Sequence, residues 1–119
     1  MNISIDYSYV EEVFESKDEY RYFLQIICVE FEEAINKLVL SIKKEDIHSF
    51  RKTLHNVVSH LEMLRANELS QFLEQVKPQL SDSSMDEKKK EALIQELVQS
   101  FDIVLTQVKE KHEELSKAL

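Results

Sequence analysis

No glycine occurs anywhere in the 119 residues, and there is one proline, one cysteine and no tryptophan. A sheet needs glycine for its tight turns and bulges, so this absence argues for helices joined by short polar loops. It also excludes a phosphate-cradling loop and a glycine-framed nucleophilic serine. The lone cysteine, Cys28, cannot form an internal disulfide, and its neighbours Ile26, Ile27 and Val29 point to a packed thiol. No run approaches the ~20 apolar residues that a membrane span needs. The opening MNISIDYSYVEEVFE lacks the basic region and apolar core of a signal peptide. A cytoplasmic protein without membrane association is expected.

Positive charge is also scarce. Fifteen Lys and Arg face 23 Asp and Glu, giving a formal net charge of −8 and a pI near 5.0. A phosphate backbone repels such a surface unless a local basic patch offsets it. The longest basic run, Lys88-Lys89-Lys90, is flanked by Asp86, Glu87 and Glu91 and has the look of a solvated helix face. No nucleic-acid partner is expected. What the chain does have is 43% hydrophobic and 32% charged residues, a globular balance. Its length suits one domain spanning residues 1–119.

The apolar residues fall at helical spacing. A short helix is expected over about Tyr7–Phe14, with Tyr9, Val10, Val13 and Phe14 on one side. Ser16 and Glu19 then make a capping box. Tyr20, Phe23, Leu24, Ile27, Phe31, Ala34, Ile35, Leu38 and Ile42 follow as one stripe. A third helix begins near Glu45 or Asp46 and carries Ile47, Phe50, Leu54, Val57, Leu61 and Leu64. Asn67 either closes this helix or caps the next, which carries Leu69, Phe72, Leu73 and Val76 and ends or kinks at Pro78. After the loop SDSS, Ser84 and Glu87 form a second capping box. The last helix runs through Leu93, Leu97, Phe101, Val104, Leu105 and Val108. The expected fold is all-α, an antiparallel four-helix bundle with a short additional N-terminal helix. With helices of ~25 residues at most, the bundle should be roughly 35–40 Å long.

The third helix holds the main candidate for chemistry. At 100° per residue, His55 in RKTLHNVVSHLEML lies roughly 120° from the centre of the apolar stripe. Arg51 and Ser59 sit one turn to either side, His48 and Glu62 two turns away, and Lys52 is nearby. Val58 lies on the shoulder of the buried face. An exposed histidine on a charged helix is ordinarily only solvated. A neutral imidazole is nonetheless a nucleophile near pH 7, and Arg51 and Lys52 could steady a developing phosphate charge. A metal site is not expected. His48, His55, His60 and His112 offer no pair at i, i+3 or i, i+4. The acidic pairs Glu11-Glu12, Glu32-Glu33 and Glu113-Glu114 fit solvated faces.

The stretch EDIHSFRKTLHNVVSHLEMLRANELSQFLEQV resembles the signature helix pair of histidine-containing phosphotransfer (HPt) domains. These are four-helix bundles that relay phosphoryl groups between receiver domains of two-component phosphorelays. Asp46, Phe50, Arg51 and Lys52 match the acidic, apolar and basic positions before the family's phosphoacceptor histidine, here His55. Val57, the small Ser59 and Leu69 match positions two, four and fourteen residues after it. The upstream YFLQIICVEFEEAINKLVLSIKKED and IDYSYVEEVFESKDEY are similar to the family's second helix and N-terminal segment, so the resemblance covers nearly the whole chain. Two positions depart from it. Val58 stands where the family usually has a phosphoryl-contacting lysine, and Arg65 where it often has glycine. The glycine loss is expected to be a packing variation near the helix end.

The resemblance implies a free-standing phosphoryl carrier in which His55 accepts the group from a receiver aspartyl phosphate. It implies no cofactor of its own, because the Mg²⁺ belongs to the receiver. Response-regulator receiver domains and a hybrid histidine kinase are the implied partners. Arg51, Lys52, Val58, Ser59 and Glu62 would form the phosphate- and partner-binding face. Loss of the lysine also leaves open an HPt-like docking module that never turns over phosphate. A bundle with no signalling role is the third possibility.

Overall fold

A computed structural model describes residues 2–81 and 85–117. Among these residues the chain is all-α: α1 Ser8–Val13, α2 Lys17–Lys43, α3 Ile47–Met63, α4 Asn67–Ser81 and α5 Glu87–Lys117. Helix α2 packs on both α3 and α5, α3 on α4, and α4 on α5. The four long helices thus close an antiparallel bundle, with α1 lying at its end. The expected stripes form its core. Leu24, Ile27, Phe31, Leu38 and Ile42 of α2 meet Phe50 and Leu61 of α3, Leu69 and Leu73 of α4, and Leu97 and Phe101 of α5. Phe31 and Phe101 pack edge to face, with ring centroids 5.7 Å apart.

Helix boundaries follow local chemistry. Ser16 caps α2 by accepting the amide of Glu19 at 3.1 Å, and Asp46 caps α3 by accepting the Ser49 amide at 3.1 Å. The expected cap at Ser84 lies outside the described residues. The observed cap for α5 is Asp86, whose carboxylate accepts the Lys89 amide at 2.8 Å. Asn67 opens α4 as its first helical residue. Pro78 neither ends nor limits α4, which continues to Ser81. It is exposed and only three residues from the helix end, and the burial of Val76 and Leu80 on either side holds the last turn on the bundle despite the lost donor.

Three other expectations change. Helix α5 has 31 residues rather than ~25, and the long axis of the molecule is 52 Å. The N-terminal segment braces α5: Tyr7 Oη donates to the Gln107 carbonyl at 3.2 Å, and Gln107 Nε2 donates to the Ile3 carbonyl at 3.0 Å. On α1, Val10 is buried and Phe14 beyond it half-buried, while Tyr9 and Val13 are exposed. Finally, Lys90 is not a solvated lysine. Its ammonium donates to the Lys43 carbonyl at 3.4 Å and lies 3.6 Å from Glu45, tying the start of α5 to the α2–α3 turn.

The chain makes its two tightest reversals without glycine. After α2, the amides of Glu45 and Asp46 bond back to the carbonyls of Ile42 and Ser41. After α3, those of Arg65 and Ala66 bond to Glu62 and Leu61. This paired pattern needs a left-handed residue at its centre, and Glu45 (φ 52°) and Arg65 (φ 57°) supply it. Arg65 in place of a glycine is therefore a backbone substitution, not a packing variation. It carries a steric cost that glycine avoids. Its guanidinium, 5.4 Å from the Tyr9 ring centroid, gives some of this back.

Arg65→Gly is expected to be more stable than Arg65→Ala by about 1 kcal/mol in urea unfolding. Both variants lack the guanidinium, so their difference isolates the left-handed backbone. A second expectation concerns pH. The Ser49 amide and hydroxyl hold the Asp46 carboxyl below its ordinary value of 3.8. The charged cap thus contributes fully above that value, and its contribution fades as pH falls through the lowered folded-state value. Wild-type stability should fall more steeply with acid below about pH 4 than that of Asp46→Asn, whose neutral cap does not titrate.

Candidate functional site

Helix α3 buries Phe50, Thr53, Leu54, Val57 and Leu61 and turns the opposite side outward. His55 is on that outward side and exposed. It does not stand on a bare helix. With Arg51, Leu54 and Val58 of α3 it lines an open groove of about 320 Å³ whose far wall is Glu74 and Lys77 of α4. Lys77 Nζ lies 2.7 Å from Glu74 Oε2.

The other expected face residues part company with this groove. Lys52 turns toward α2 and lines a separate hollow of about 300 Å³ with Lys37, Lys44, Ser49 and Asn56. Ser59 and Glu62 line a third, with Tyr9, Met63 and Arg65. Arg51 and Val58 are therefore the expected residues that the fold brings beside His55, and Glu74 and Lys77 are those the sequence alone did not reveal. A signal was present. Helices α3 and α4 reverse about Arg65, so the residue facing His55, ten positions before the turn, should lie near position 75.

The remaining histidines go elsewhere. His60 points to α2, where Nδ1 contacts the Glu30 carboxylate and the ring packs edge to face with Phe23, centroids 5.6 Å apart. His48 is exposed, and His112 is half-buried on α5. Among the described residues no three His, Cys, Asp or Glu side chains gather as a metal site. Cys28 is half-buried rather than fully packed, and burial pushes its thiol above the ordinary value, away from the reactive thiolate.

Charge is segregated along the chain. Residues 37–65 contain six of the fifteen Lys and Arg but only three of the 23 Asp and Glu. No basic run announces this in the sequence, because helix periodicity spreads Lys37, Lys44 and Lys52 apart and the α2–α3 packing gathers them around one hollow, while Arg51 lies in the groove of His55. An otherwise acidic molecule thus carries a cationic hollow on its α2–α3 face and, separately, Arg51 and Lys77 beside His55 with Glu74 between them in sequence.

Neither protein-family models nor curated protein sequences produce a match. Among solved structures, the chain is similar to histidine-containing phosphotransfer protein B (HptB) from Pseudomonas aeruginosa PAO1. The TM-score is 0.74 at 21% sequence identity, over 92% of this chain and 95% of that one. The fold is that of the histidine phosphotransfer bundles, in agreement with the resemblance read from the sequence. Among the described residues no helix is long and apolar enough to cross a membrane.

Proposed function

We propose that the chain is a cytoplasmic phosphoryl carrier that relays the group between receiver domains through His55. The observation that carries this is the position of His55: a lone exposed imidazole at mid-helix, walled by an arginine and a lysine, on a bundle of HPt fold. A phosphoryl carrier needs no deep pocket, only an oriented nucleophile and a face that fits the donor. The lone pair of a neutral ring nitrogen attacks phosphorus in line, the receiver aspartate leaves as a carboxylate, and the imidazole becomes phosphohistidine. The imidazolium proton is then shed to water. A second receiver reverses these steps. The required Mg²⁺ belongs to the receiver, and a hybrid histidine kinase would load the relay.

The groove also divides the supporting residues. Arg51, on the His55 wall, would contact the phosphoryl oxygens, whereas Lys52, Ser59 and Glu62 would meet the partner around it. Val58 and Leu54 supply an apolar margin for docking. Val58 in place of the usual lysine favours a second reading, an HPt-like module that docks a receiver without accepting its phosphate.

Phosphotransfer from labelled phospho-receivers of the same organism tests the proposal against that alternative. Acid-labile, alkali-stable label is expected on the wild type and absent from His55→Gln. Binding without label would establish the docking module, and neither label nor binding would remove the signalling assignment. Within the relay, Arg51→Ala should slow transfer about tenfold even at saturating receiver. Lys52→Ala should instead raise the receiver concentration needed, with an effect that salt suppresses. Equal behaviour of the two variants would contradict the division between the two grooves.

A further inference from the structure

Helix α3 offers only Val58 where a phosphoryl-contacting cation would ordinarily follow the histidine, yet the groove is not short of one. Lys77 reaches it from the neighbouring helix. Its ion pair with Glu74 lies within one helix, as do those of Arg21 with Asp18 and Lys117 with Glu113, but its two members also line the groove of His55. Lys90 joins α5 to the α2–α3 turn, Lys109 bridges to Glu32 of α2, and Lys111 reaches Glu11 of α1. Lys77 pairs within its own helix, three residues from its partner, and so holds no two elements together. Both members of the pair face His55 across the groove.

We propose that Lys77 is a second phosphoryl-contacting cation of this chain, opposite Arg51, and that Glu74 is its counter-ion and competitor. The inference rests on His55 as the acceptor. In the resting protein Glu74 holds Lys77 beside the groove. A phosphoryl group on His55 brings nearly two negative charges and three acceptor oxygens, outbidding a half-exposed carboxylate for the same ammonium. Lys77 Nζ then passes from Glu74 to the phosphoryl oxygens, with no covalent change. Glu74, left in the groove, repels the dianion. The pair thereby sets how strongly His55 retains its phosphate: Lys77 favours retention, Glu74 favours release to the next receiver.

The test loads His55 without a receiver. Phosphoramidate donates its phosphoryl group to the ring nitrogen, its own N–P bond breaks, and ammonia leaves. The ³¹P resonance that disappears in His55→Gln is then followed through the second ionisation of the phosphoryl group. A nearby cation stabilises the dianion, so Lys77→Ala should raise the midpoint by about half a pH unit or more, and Glu74→Gln should lower it. Lys77→Arg should restore the wild-type midpoint. In the Lys77→Ala background Glu74→Gln should do much less, because only direct repulsion remains. A phosphoryl group on exposed His48 serves as the control that none of these variants moves.

In parallel, the partition of phosphate between His55 and a receiver should shift about three- to tenfold toward the receiver in Lys77→Ala, and the other way in Glu74→Gln. If receivers label His55 but Lys77→Ala changes neither midpoint nor partition, the role of Lys77 is overturned and the relay stands. If no receiver transfers label but the midpoint responds as stated, the relay falls and the Lys77 contact stands. Silence in both measurements removes both.

Discussion

Everything at the site depends on how α3 is seated. Phe50, Leu54, Val57, Leu61 and Leu64 give it one continuous apolar edge, which α2 and α4 cover from either side. Burial at roughly 25 cal/mol per Å² makes this edge the strongest determinant of the helix's rotation about its axis. Turning α3 by one residue would bury His55 or expose Val57, so the groove geometry inherits its precision from the core. An exposed imidazole on a packed helix is thereby presented at a fixed angle, which would suit the proposed phosphoryl acceptor.

The reversals at either end of α3 are the next constraint. A glycine-free chain must place ordinary residues in left-handed backbone, and it does so at Glu45 and Arg65. Each is tied to other parts of the molecule, Glu45 to Lys90 and Arg65 to the Tyr9 ring. The steric cost of the turns is partly offset by contacts glycine could not make, and those contacts also anchor the start of α5 and the N-terminal helix. The same short reversal at Arg65 folds α4 back on α3 in the register that sets Glu74 and Lys77 opposite His55. Turn and groove are in this sense one feature: a longer α3–α4 connection would free the register on which the second wall depends.

Charge adds a layer that packing alone does not contain. Lys37, Lys44 and Lys52 are dispersed along two helices and the turn between them, and converge only when α2 and α3 lie side by side. The result is an acidic molecule with a cationic hollow between α2 and α3, beside but separate from the groove of His55. Such a surface lowers the barrier to approach of an anionic group to that face.

The stripes of α2 through α5, the caps at Ser16 and Asp46 and the outward direction of His55 were legible because each depends on residues within a turn or two of one another. Helical periodicity converts such local spacing directly into burial. The cap at Asp86, the passage of α4 through Pro78 and the full length of α5 were less legible, since several local patterns competed there and packing chose among them. Lys77, Glu74 and the anchoring of Lys90 were not visible as contacts at all. A residue on one helix acquires a neighbour on another only when turn length, register and rotation are all settled, and those are properties of the assembled core. The sequence by itself determined an all-α bundle with a histidine turned to solvent; the tertiary structure decided which cation stands beside that histidine, because only packing brings separate helices within reach of each other.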